Sequence, residues 1–125
     1  VYWGDLARAQ IGLGLLPQAR QSIRELEAVI SGCAEKPALR QNLQDTATLL
    51  KAACDVRQGK AIETDTWQQR LNAAPYKLRA LEIQQILALD AQNREDPKAL
   101  RGILTRMQQN GGKTIYHKWA VEQSK

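Results

Sequence analysis

Apolar residues recur three and four positions apart through most of this chain, and no segment alternates apolar and polar with a period of two. That spacing builds the buried stripe of an amphipathic helix and cannot build one face of a sheet. Composition agrees. Phe is absent, Leu, Ala and Gln are abundant, and β-branched residues are sparse. Apolar residues make up 43% of the chain and charged residues 25%, the balance of an ordinary globular domain. The 125 residues are one domain's length, enough to bury a core. The expectation is a single all-α domain over residues 1–125.

Breakers divide the helical pattern. Trp3, Leu6, Ala7 and Leu13 form a first stripe, and Leu16, Ala19, Ile23, Leu26 and Ile30 a second. Between them lies GLGLLP. Gly14 suits the left-handed position that ends a helix, and Pro17 suits the first turn of the next. The two helices therefore form an antiparallel hairpin, with small Ala7 and Ala19 allowing close approach. Leu39, Leu43, Ala47, Leu50 and Cys54 place one long helix over 38–58, stopped by Gly59. Thr64 or Asp65 can cap a short helix carrying Trp67 and Leu71, which ends before Pro75. Tyr76, Ala80, Ile83 and Leu87 mark another helix, running to Asp90. Asp96 followed by Pro97 opens the next, filled by Leu100, Ile103, Leu104 and Met107 and stopped at residues 110–112. Ile115, Tyr116, Trp119 and Ala120 lie on one side of a last helix over 113–124. The total is about seven helices, arranged as three hairpins and a terminal helix.

The first hairpin resembles a tetratricopeptide repeat. Trp3, Leu6, Ala7, Gly14, Ala19, Ile23 and Leu26 fall at that family's spacing. Gln10 stands where the family carries an aromatic, Leu26 where it carries a small residue, and Ser31 where it ends on Pro. The resemblance implies antiparallel hairpins stacked as a tetratricopeptide-like superhelix. The later hairpins keep the helix–turn–helix rhythm without the small-residue positions, so residues 38–125 also read as a non-repeat bundle joined to one such hairpin. It further implies a protein- or peptide-binding module whose groove is lined by the first helix of the hairpin. Carried over, Gly4, Arg8, Ile11 and Gly12 face that groove, with Asp5 alongside. Gly4 and Arg8 depart from the Lys and Asn pattern of members that clamp a C-terminal carboxylate. The alternative is a sensor or regulatory domain of a larger protein, such as a bacterial transcription regulator, with a ligand cavity near Trp67 and Tyr76 or a role in self-association. The first residue is not Met, so the chain reads as a fragment of a longer protein.

The chemistry-bearing residues nominate no catalytic site, and the chain is not expected to be an enzyme. GGKT at 111–114 lacks the earlier glycine of a phosphate loop, since Met107 occupies its place, and reads as a helix stop. His117 is the only histidine and reads as a surface residue of the last helix. With Cys33 and Cys54 it is too little for a metal site, and no cofactor is implied. Cys54 would lie about 16 residues, or ~24 Å, along the long helix from the loop that holds Cys33. Bridged cysteines need Cα atoms within about 7 Å. Free thiols and a cytoplasmic location are therefore favoured, and a bridge between the two would point to the periplasm. No segment is apolar enough to span a membrane. Net charge is +5 with a pI of about 9.5. Residues 1–36 balance four basic against four acidic, whereas 113–125 carry three lysines against Glu122. No element reads as a Lys/Arg cluster, which speaks against nucleic acid as partner.

Overall fold

A computed structural model describes residues 2–33 and 35–125. Seven helices and no strand are present among the described residues: α1 (Trp3–Gly12), α2 (Leu16–Ser31), α3 (Pro37–Arg57), α4 (Thr64–Asn72), α5 (Lys77–Asn93), α6 (Pro97–Asn110) and α7 (Ile115–Gln123). None is long and apolar enough to cross a membrane. The chain groups into two compact units, Val1–Gln58 and Gly59–Lys125.

In the first unit α1 packs on α2, and α3 packs on α2 and reaches α1. The breakers do what their chemistry predicts. Gly14 takes φ +76°, the N–H of Leu15 bonds the Gln10 carbonyl at 2.8 Å, and the N–H of Gly14 bonds that of Ile11 at 3.0 Å. This left-handed closure consumes two of the carbonyls that a helix end leaves unpaired. Pro17 then sits in the first turn of α2. Ala19, Ile23, Leu26 and Ile30 are all buried, as are Ala7 and Ile11 on α1. Leu6 is only half-buried, because the packed stripe of α1 runs through Gly4, Ala7 and Ile11. Gln10 stands where the repeat family has an aromatic. Its Oε1 accepts from the buried Ser22 hydroxyl at 2.7 Å, so a polar tie joins α1 to α2. Arg20 on α2 bonds Asp55 at 2.7 Å and Gln58 at 2.6 Å, fixing α2 to the end of α3. Both cysteines are free, and Cys54 is buried in α3. Burial pushes its thiol up, against the pull of Arg20 and Arg57, so it stays protonated and slow to alkylate in the folded protein.

In the second unit α5 is central. It packs on α4, α6 and α7, and α6 packs on α7. Leu81, Ile83, Ile86, Leu87, Ala88 and Ala91 are buried, and so are Arg79, Glu82, Gln84 and Asp90. Ala88, Leu104, Met107 and Ala120 form a cluster, with Leu100, Ile103, Tyr116 and Trp119 packed against it. Ile115, expected on the apolar side of α7, is exposed at its first turn, and Tyr76 is the exposed residue preceding α5. Thr64 does not cap α4. It is the first helical residue, and its hydroxyl donates to Asp90 Oδ2 at 2.8 Å, tying α4 to α5. Asp96 does cap α6, accepting from the N–H of Ala99 at 3.1 Å with Pro97 behind it.

Two positions around α6 carry predictions. Glu95 closes α5 at φ +55°, with its N–H on the Gln92 carbonyl and that of Asp96 on the Ala91 carbonyl. A non-glycine residue in this region costs about 1–2 kcal/mol, partly offset because glycine loses more chain entropy on folding. Glu95→Gly is expected to stabilise the second unit by about 0.5–1 kcal/mol. A urea midpoint that falls or stays put would show that the strain is absent. At the other end, Gly111 is buried. A Cβ there would lie 2.5 Å from the Met107 carbonyl oxygen and 2.7 Å from the His117 Cβ. His117 is half-buried rather than on the surface, its ring Nδ1 donating to the Gln108 carbonyl at 3.0 Å. Both obstacles are anchored, so Gly111→Ala is expected to cost about 1–3 kcal/mol through overpacking. An unchanged thermal midpoint would mean that α7 yields freely.

Candidate functional site

The exposed side of α6 carries basic residues and no acidic one. Lys98, Arg101, Gly102, Thr105, Arg106 and Gln109 follow one another at helical spacing and are all exposed. α6 is the only described helix without an acidic residue. Lys98, Arg101 and Arg106 have no ion-pair partner among the described residues. Lys98 and Arg106 stand two turns apart, about 12 Å along the helix axis.

Beside this stripe α4, α5 and α6 leave an open cleft of about 430 Å³. Thr64 and Gln68 line it from α4, Leu87 from α5, and Lys98, Ala99, Gly102, Ile103 and Arg106 from α6. Arg94 and Asp96 line it from the turn between α5 and α6. Arg94 is held in place. Its Nε donates to Asp90 Oδ2 at 3.0 Å and its Nη1 lies 3.6 Å from Asp96. Asp90 is buried and also takes the Thr64 hydroxyl, so one carboxylate fixes a residue on each side of the cleft. Its apolar lining residues are Leu87, Ala99 and Ile103.

Gly102 stands in the interior of α6, where glycine costs about 1 kcal/mol against alanine. Its φ is not positive, and a Cβ built on it meets nothing within 4 Å. Neither backbone conformation nor packing within the chain calls for glycine there.

The residues expected from the sequence on the first helix separate into two sets. Asp5, Arg8 and Gly12 share the outward stripe of α1, with Arg8 Nη1 bonded to Asp5 Oδ1 at 3.2 Å. Ile11 is buried on the opposite stripe with Gly4 and Ala7. The outward stripe thus carries one ion pair, with its charges already matched. Trp67 is buried, with the Arg70 guanidinium 4.8 Å from its ring centre, and neither it nor Tyr76 lines the α6 cleft. Among the described residues no three His, Cys, Asp or Glu side chains gather closely enough to hold a metal ion.

Counted along the chain, the cations of α6 look scattered. The signal lies in composition: Pro97–Asn110 holds three basic residues and no acid, with a glycine a full turn from Lys98 and from Arg106. No family model, no curated protein and no solved structure matches this chain. The likeness to tetratricopeptide repeats therefore rests on residues 3–26 themselves.

Proposed function

We propose that this chain is a protein- or peptide-binding module, with no catalytic role of its own, which takes its ligand on the open groove along α6. The observation that carries the reading is the α6 surface: cations without ion-pair partners, apolar residues lining the cleft and an unobstructed glycine. Charged side chains that have no partner within the fold keep their binding capacity for something outside it. The α1 stripe supports the reading less, since Arg8 already holds Asp5. A tetratricopeptide-like stacking of hairpins belongs to the same proposal. In its support, α1 touches both α2 and α3, and α5 both α6 and α7, the neighbour and next-neighbour contacts that stacked hairpins make.

Selection of a displayed random-peptide library against the full chain tests the reading. Selected peptides, added to isotopically labelled protein, are expected to shift the backbone amide resonances of residues 98–109 together with those of Thr64 and Gln68. Enrichment of no peptide above background would remove the binding-module reading. Shifts confined to Asp5, Arg8 and Gly12 would move the site to α1.

A further inference from the structure

Resting on that reading, we infer that the ligand of the α6 groove is an acidic protein segment, and that Gly102 is where its backbone comes closest to the helix. Gly14, Gly59 and Gly112 have positive φ, and Gly111 abuts His117, so each of those glycines answers a need of the fold. Gly102 answers none; Gly12, at the last residue of α1, is equally unobstructed, and what sets Gly102 apart is its place in mid-helix between Lys98 and Arg106. A missing side chain in mid-helix, in open space, leaves a flat floor between Lys98 and Arg106. Small residues at a helix surface let another backbone approach closely. A segment lying there would bring its own side chains within reach of Lys98 on one side, Arg106 on the other and Arg101 beside them.

Charge sets the class of side chain. The second unit holds eleven of the eighteen basic residues and seven of the thirteen acidic ones, so it carries four of the five net positive charges. Carboxylates complement Lys98, Arg101 and Arg106. An apolar side chain between them would meet Leu87, Ala99 and Ile103 in the cleft. A polynucleotide fits less well. The α6 stripe has no aromatic on which bases could stack, the apolar lining of the cleft gives nothing to phosphates, and Asp96 lines the same cleft.

Fluorescence anisotropy with the full chain decides the matter. The probes are a labelled Glu/Leu peptide of about twelve residues, which comfortably spans ~12 Å of helix, its counterpart with Gln for every Glu, and a single-stranded oligothymidylate of equal charge. The acidic peptide is expected to bind about tenfold or more tightly than the Gln peptide, with binding weakened by salt. Lys98→Gln combined with Arg106→Gln should weaken it about tenfold or more. Gly102→Ala should act in opposite directions, raising the melting midpoint by about 4 °C or more while weakening the acidic peptide severalfold. A merely structural role for Gly102 would not separate the two. Equal binding of both peptides would overturn the acidic ligand and leave the module reading standing. Tighter binding of the oligonucleotide, lost in the Lys98/Arg106 variant, would replace the protein ligand with nucleic acid. Gly102→Ala binding as wild type would remove the close approach. Failure of both peptides to bind would overturn the inference, and empty selections as well would take the module reading with it.

Discussion

Met107→Ala is expected to lower the stability of the second unit by about 2–5 kcal/mol. Met107 has no solvent exposure and lies in the cluster with Ala88, Leu104 and Ala120, which joins α5, α6 and α7. Removing its thioether arm deletes apolar contact with all three helices and leaves a cavity whose lining can relax only in part. The loss is read from the denaturant midpoint and from faster amide exchange in α6 and α7. Arg106→Ala, one residue away on the exposed stripe, is expected to change stability by about 0.5 kcal/mol or less. Equal effects of the two would mean that α6 does not present one face to the core and the other to the groove.

Leu50→Ala is expected to cost a similar amount, about 2–5 kcal/mol, in the first unit. Leu50 is 1% exposed on α3, in a buried row with Leu43, Ala47 and Cys54. Leu39 begins the same row in the sequence but is 45% exposed. Leu39→Ala should therefore stay within about 0.5 kcal/mol. Urea denaturation of both variants, followed by circular dichroism, checks the pair. A loss at Leu39 as large as that at Leu50 would show that the start of α3 is packed.

The contrast between these two leucines shows where the sequence is legible. Periodicity identifies the helix and the stripe, but it does not say where along the stripe a neighbouring helix stops covering it. Breakers are legible, because Gly14, Gly59 and the Asp96–Pro97 pair act through local backbone geometry. α5 is legible only in part. Ile83 and Leu87 follow the expected stripe, but Arg79 and Asp90 are buried one turn away along it, and Glu82 and Gln84 are buried off it. A helix surrounded by neighbours loses the polar face on which amphipathic reading depends. Asp90 shows the reason: it is satisfied by Thr64 on α4 and by Arg94, and no sequence pattern announces a bond spanning 26 residues. The candidate site is hidden for a different reason. On α1 the resemblance points to Arg8, which the fold pairs with Asp5. On α6 the informative fact was an absence, acids missing from one helix, together with a glycine that nothing inside the chain requires.

The pattern of helix contacts also bears on how fast the chain folds. Within each unit every packed pair of helices is adjacent in the chain or separated by a single helix. Native contacts then form by closing short loops, and the entropic cost of closure stays small. Helical domains with such local topology fold in microseconds to milliseconds, unlike sheets, which must pair distant strands. α1 and α2 can meet as soon as the hairpin has left the ribosome, and α3 follows in chain order, so assembly of the first unit can keep pace with synthesis at about 5–20 residues per second. The interval in which its apolar stripes stand uncovered is correspondingly brief, which limits the aggregation that slower topologies invite.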